Sequence, residues 1–376
     1  MFVQVVQSKK PNLSYILYSR PISYLCPMIA TEIVKKDIRQ LTREQLEEAM
    51  LAFGEKKFRA NQIYDWLWTK SARSFDDMTS LSKDLRQRLD TTFMVRPITE
   101  DKIQRSLDGT IKGRFRLHDG HLIEAVLIPV PTDNRFTVCV STQVGCSLTC
   151  TFCATGRMGR IRNLDASEIY DQVVMINQHS METFGHPLTN IVYMGMGEPL
   201  LTYANVLRSV ALITEGLNFS PKRITVSTAG IAKMIRKLAD DNVKFNLALS
   251  LHAADDVKRN QIMPINEQNN LAVLVSALDY FYQKTKNRIT FEYITFQNFN
   301  DTIADANNLI KICKRIPARV NIIEYNPIDN APFLKSAEEN IDRFAKHLSK
   351  NGVAITVRKS RGKDIDAACG QLANKG

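Results

Sequence analysis

The chain has 376 residues, with 50 Lys plus Arg against 39 Asp plus Glu and a formal net charge of +11. Hydrophobic residues make up 44% of it, enough for a large core, which excludes a mainly disordered or low-complexity protein. Seven cysteines, an odd number in a long chain, argue against a secreted disulfide framework. The basic excess favours a polyanionic partner such as nucleic acid.

Residues 1–36 read as a poorly patterned extension, with five basic residues and one acid, and Met28 is an alternative start. Without the extension a charge of +7 remains, so it does not create the basic bias. The apolar stretch 14–30 is broken by Arg20, Pro21 and Pro27 and lacks the order of a signal peptide. A soluble, cytoplasmic protein with no membrane partner is expected. Next, Thr42-Arg43-Glu44-Gln45 is a capping-box pattern, and Leu46, Met50, Leu51 and Phe53 follow at near-helical spacing. Further helical patterns at 58–69 and 82–89 make 37–95 a small helical domain, in which Trp66 and Trp68 are expected to pack rather than stack on bases.

Asp108-Gly109 and Asp119-Gly120 each lie between β-like runs, so 96–135 should be an antiparallel meander and linker. From 136 to 360, short apolar runs alternate with amphipathic ones. Strands are expected at 137–142, 190–196, 223–228, 243–251, 288–295, 319–325 and 353–359, with helices such as 166–182, 271–284 and 303–313 between them. This alternation predicts an α/β fold with a parallel sheet. Six or so βα units, without a Gly-rich dinucleotide fingerprint after the first strand, favour a full or partial barrel. Residues 361–376 form a tail.

Cys146, Cys150 and Cys153 stand at C-x3-C-x2-C spacing just after the first barrel strand. Three inert thiols so crowded are an improbable accident, and metal binding is the better reading. Zinc in a structural site usually takes four protein ligands, and no further Cys or His lies nearby. Three thiolates suit a four-iron cluster with one iron left open to a ligand's amine and carboxylate. The spacing, with Phe152 before the last cysteine, resembles the signature of the radical S-adenosylmethionine (SAM) superfamily.

Barrel chemistry sits at the C-terminal ends of strands. The second strand ends in Met194-Gly195-Met196-Gly197-Glu198-Pro199, where glycines admit close backbone approach and Glu198 could accept from an ammonium group. Ser227, Ser250-Leu251-His252 and Asn326 end later strands. Gly-Glu-Pro alone would read as a turn, and His252 alone as a structural histidine; polar tips converging on one rim are harder to dismiss. Among the remaining cysteines, Cys26 and Cys313 read as small buried hydrophobes. Cys369 sits among small residues that would expose its sulfur on a flexible tail, and Cys139 is ambiguous.

Taken together, the run from Val140 to Cys146, the cysteine motif, Met194 to Leu200, Leu249 to His252, Asn326-Pro327, and Arg358 to Gln371 resemble the RlmN/Cfr family of radical SAM RNA methyltransferases, from about Asp37 to Leu372. The resemblance implies a partial (β/α)6 barrel, a [4Fe-4S] cluster on Cys146, Cys150 and Cys153, and SAM contacts at Gly197, Glu198, Ser227, Ser250, Leu251, His252 and Asn326. It makes Cys369 the methyl-accepting residue, which attacks the adenine as a carbon radical to give a covalent protein–RNA adduct. Glu124 matches the proton acceptor, although an outward-facing strand carboxylate would be its reading without the resemblance. Cys139 resolves the adduct by forming a transient disulfide with Cys369. The implied substrates are 23S rRNA and tRNA, methylated at adenine C2 and bound partly by the helical domain and the run Arg358, Lys359, Arg361, Lys363. An electron donor such as flavodoxin is implied, and a monomer is expected. A C8-selective methyltransferase with the same cysteines is the nearest alternative; a zinc-stabilised, non-catalytic RNA-binding protein is a distant one.

Overall fold

The computed structural model describes residues 35–375. The expected extension at 1–36, with Cys26, lies almost wholly outside the described residues. A two-residue strand β1 (Lys36–Asp37) leads into α1 (Arg43–Ala52), whose Thr42 and Gln45 form the reciprocal cap read from sequence. Leu46 and Met50 are buried, whereas Leu51 faces solvent. The small domain continues through α2 (Phe58–Trp68), α3 (Lys83–Thr92) and β2 (Phe93–Met94), which pairs in parallel with β1. Trp68 is buried edge-on against Tyr170, and Trp66 donates from Nε1 to Ser80 Oγ, so both tryptophans pack as expected.

The meander is β3 (Thr99–Arg105), β4 (Ile111–Arg116) and β5 (Leu122–Val130), turning at Gly109 and Gly120 with φ of 87° and 84°. It is continuous with the main sheet, because β5 pairs antiparallel with β6 (Arg135–Cys139). After β6 the chain forms a long loop holding β7 (Gln143–Val144), the short α4 (Ala154–Arg157) and β8 (Arg162–Asn163). Alternation then runs α5 (Ala166–Phe184), β9 (Asn190–Tyr193), α6 (Tyr203–Gly216), β10 (Ile224–Thr228), α7 (Ala232–Asp240) and β11 (Asn246–Ser250). It closes with α8 (Asp256–Ile262), α9 (Leu271–Thr285), β12 (Ile289–Thr295), α10 (Ile303–Cys313), β13 (Ala318–Glu324), α11 (Glu338–Lys350) and β14 (Ile355–Arg358).

The sheet order is β14-β13-β12-β11-β10-β9-β6-β5-β4-β3, with every pair from β6 to β14 parallel. Its end strands do not pair, so the parallel part is an open, partial barrel. Helices cover one face, and the strands read as apolar runs because they are covered on both faces. The helical domain is pinned to this body by buried ions. Arg39 donates from Nη1 to both oxygens of Asp171, at 3.0 and 2.9 Å, and the Ile98 N–H donates to Asp171 Oδ2 at 3.1 Å. Residues 36–376 form one compact unit, so the domain boundaries expected near 95 and 135 are changes of element type within a single body.

Candidate active site

The strand tips and the loop after β6 enclose a cleft of about 1430 Å³, its open mouth included. Cys146, Cys150 and Cys153 line it together, with Phe152 between them packed edge-on against His252 at 4.8 Å between ring centres. Burial pushes the Cys146 thiol up to about 11. The Cys150 thiol is also raised, first by burial and then by the neighbouring Cys153 and Cys146. Crowded thiols of this kind are costly to ionise unless cationic metal neutralises them. Gly145 shapes the loop: its φ is 73°, and a Cβ there would meet the Gly159 carbonyl oxygen at 1.7 Å.

Glu198 lies in the same cleft, buried, with both carboxylate oxygens held by backbone amides. Oε1 accepts from Leu200 N–H at 3.0 Å and Oε2 from Ala229 N–H at 2.8 Å. Burial raises its pKa, and the two amides work against that rise by favouring the charged form. Gly197, φ 99°, brings the backbone to within 2.5 Å of Gln143 Cβ measured from the Cβ it lacks, so no side chain fits there. Ser227 and Ser250 reach 3.5 Å from each other across β10 and β11.

His252, at φ 53°, is also buried; its Nδ1 accepts from Ile294 N–H at 3.1 Å, which leaves the proton on Nε2. Burial, and then nearby Arg259, depress its pKa to about 3. The structure brings Gly197, Glu198, Ser227, Ser250 and His252 to one cleft with the three cysteines. Leu251 is buried behind the lining, and Asn326 stands outside it, donating from Nδ2 to the Cys369 carbonyl at 3.4 Å.

Cys139, the last residue of β6, and Cys369 line the same cleft, both as free thiols. Burial pushes Cys139 up to about 12, with the Cys369 thiol adding to the rise. Cys369 is open to solvent through the cleft mouth, yet the surrounding walls push its thiol up to about 11, partly offset by Arg358. The flexible tail expected around it is not what the fold builds. Gly362 N–H donates to Asp108 Oδ2, Lys112 Nζ to the Asp366 carbonyl, and Ser106 Oγ to Asp364. The small side chains at Ala367 and Ala368 are buried, letting the tail lie close against the meander and barrel.

Glu124 does not line the cleft. It is 1% exposed rather than outward-facing, because β5 is covered on both faces. Its Oε2 accepts from the Ala373 and Asn374 amides at 3.0 and 3.2 Å, and Lys112 Nζ stands 3.3 Å from Oε1.

Two further residues escaped the sequence reading. Arg259, fully buried on α8, donates to the carbonyls of Leu251, Ala229 and Ser250 and to Asn266, tying the tips of β10 and β11 together. Glu324, at the end of β13, pairs with Lys335 and Lys363 at 2.5 Å each and accepts from the Ser360 amide at 3.0 Å.

Among the described residues no group of three His, Cys, Asp or Glu is arranged to hold a single metal ion, which gives the zinc reading no support. Three thiols around one open cleft, facing a buried carboxylate, fit an iron–sulfur cluster with one iron left for the amine and carboxylate of a ligand. Fold and donor set define a radical SAM enzyme, and residues 140–310 match the model of the Radical SAM superfamily. Residues 36–95 match the ribosomal RNA large subunit methyltransferase N-terminal domain.

A probable dual-specificity RNA methyltransferase RlmN from Cytophaga hutchinsonii is 57% identical over 94% of this chain and 97% of its own. The dual-specificity RNA methyltransferase RlmN 2 of Myxococcus xanthus is 42% identical over 95% of this chain and 94% of its own. The crystal structure of a radical SAM methyltransferase from Sphaerobacter thermophilus, 42% identical, superposes with a TM-score of 0.85 over 90% of this chain and all of that one. The chain therefore belongs to the RlmN family of radical SAM RNA methyltransferases, which use a [4Fe-4S] cluster and SAM. No described helix is long and apolar enough to cross a membrane.

Proposed function

We propose that the protein methylates carbon 2 of a specific adenine in 23S rRNA and in certain tRNAs, acting in the cytoplasm as a monomer served by an electron donor such as flavodoxin. The relatives' dual-specificity name supports the two RNA classes. Carbon 2 of adenine is electrophilic and offers no readily removed proton, so polar methyl transfer fails there. The cluster and SAM supply the radical chemistry such a carbon requires.

The chain's residues divide the remaining work. Cys146, Cys150 and Cys153 hold the cluster. Glu198, with Gly197, Ser227, Ser250, Leu251, His252 and Asn326, forms the SAM site, where the Glu198 carboxylate receives the ligand's ammonium group. Cys369 carries the methyl group and forms the bond to the base. Cys139 then attacks Cys369, releasing the methylated base and leaving a disulfide. Glu124 takes the proton from carbon 2; its present hold on the Ala373 and Asn374 amides means that the tail must lift from Oε2 for that step.

The observation that carries this reading is the placement of two otherwise unexplained thiols, Cys139 and Cys369, in the cleft of the cluster cysteines. Replacing Cys139 with Ala should trap RNA covalently on Cys369 under turnover. A clean absence of adduct, with SAM still consumed, would remove Cys139 from the resolving role. The basic run Arg358, Lys359, Arg361, Lys363, three of which line the cleft mouth, supports RNA as the polyanion. The target adenosine must leave its stack to reach this depth.

A further inference from the structure

The cluster loop and the tail are joined directly to each other. Immediately after Cys153, the Ala154 N–H donates to the Gly370 carbonyl at 2.7 Å. One residue further, Thr155 donates from Oγ1 to the Leu372 carbonyl at 2.6 Å, a bond 217 residues apart in sequence. Thr155 is 3% exposed and Leu372 5%, so this hydroxyl bond lies out of water. The approach is close on the other side as well, since a Cβ at Gly370 would stand 3.3 Å from the Phe152 carbonyl oxygen. Cys369 thus sits one residue before one anchor and three before the other, and both anchors belong to the turn that carries the third cluster cysteine.

A threonine hydroxyl has one proton to donate, and here it goes to the tail. Two neighbouring anchors restrain the tail more tightly than one, because the second fixes its rotation about the first. The Ala154 anchor is main chain and survives any side-chain change there. Only Thr155 contributes a side chain, so its hydroxyl is where sequence sets the register between tail and cluster loop.

We propose that Thr155 is a positioning residue, its hydroxyl bond to the Leu372 carbonyl holding Cys369 in register with the cluster cysteines. This rests on the reading of Cys369 as the methyl carrier. Losing the bond leaves the cluster ligands in place but lets the sulfur of Cys369 wander, so SAM is consumed without productive transfer to RNA.

The test compares Thr155→Val and Thr155→Ser with wild type in cluster-loaded, anaerobically handled protein. In Thr155→Val, amide exchange at Ala154, Ala373 and Asn374 should quicken about five-fold, the loss expected for one net hydrogen bond. Iron per chain should be unchanged, and the ratio of SAM consumed to RNA methylated should rise. Thr155→Ser, which keeps the hydroxyl, should restore both exchange and ratio. Unchanged exchange in Thr155→Val, an unchanged ratio despite faster exchange, or failure of the serine to rescue would each overturn the proposal. A wild-type protein that methylates RNA with no methyl found on Cys369 would instead sink the carrier reading, and the exchange data would still decide whether the tether exists.

Discussion

The Glu198 carboxylate bridges two neighbouring strand tips, accepting from Ala229 N–H after β10 while its other oxygen accepts from Leu200 N–H in its own turn. A carboxylate can serve both donors and keep a lone pair for a ligand's ammonium group; a carboxamide cannot. Glu198→Gln should therefore set an NH2 against a backbone N–H in a buried site, a mismatch of about 1–3 kcal/mol. SAM affinity, measured by equilibrium dialysis on cluster-loaded protein, should fall at least about ten-fold, with iron content retained. Retained affinity would separate Glu198 from SAM.

His252 is placed as a neutral hydrogen-bonding ring, not as an acid–base group. With its pKa depressed to about 3, it should stay uncharged through the neutral range, and activity should show no inflection from it near 6.5. Imidazole NMR signals followed against pH provide the check, because a shift near the ordinary value would show the ring in water.

Glu324 links the last parallel strands to the start of the tail. Burial alone would raise its pKa; hydrogen bonds from Lys335, Lys363 and the Ser360 amide outweigh that and hold it down at about 2. Because the folded value lies below the ordinary 4.5, its contribution is complete above 4.5 and is lost as pH falls toward 2. Wild type should thus protect the Ser360 amide from exchange better than Glu324→Gln does above that window, with the difference shrinking inside it. A difference that persisted at the acid end would show that the ion pairs are not its source.

The site residues were legible in sequence to the extent that their signals are local. The cysteine spacing, the Gly-Glu-Pro turn and the hairpin dipeptides are short-range patterns, and each fell where expected. The tail was misjudged because its order comes from partners such as Asp108 and Glu124, about 250 residues away, and small residues near Cys369 read equally well as freedom or as close packing. Arg259 was hidden for a related reason. In Asp-Val-Lys-Arg-Asn it looks like a solvated helix residue, and only the fold reveals the three strand-tip carbonyls it reaches. Glu124 shows how a residue carried over by resemblance can be buried yet stand outside the cleft, a distinction no spacing encodes.

The central claim concerns one carbon atom of RNA, and nucleoside mass spectrometry reads it directly. Cluster-loaded protein, incubated with SAM, a reductant and unmodified 23S rRNA or tRNA, should yield 2-methyladenosine after nuclease digestion, and Cys369→Ala should abolish it. Finding 8-methyladenosine would assign the chain to the alternative regiochemistry, and adenine left unmethylated by active, SAM-cleaving protein would contradict the account.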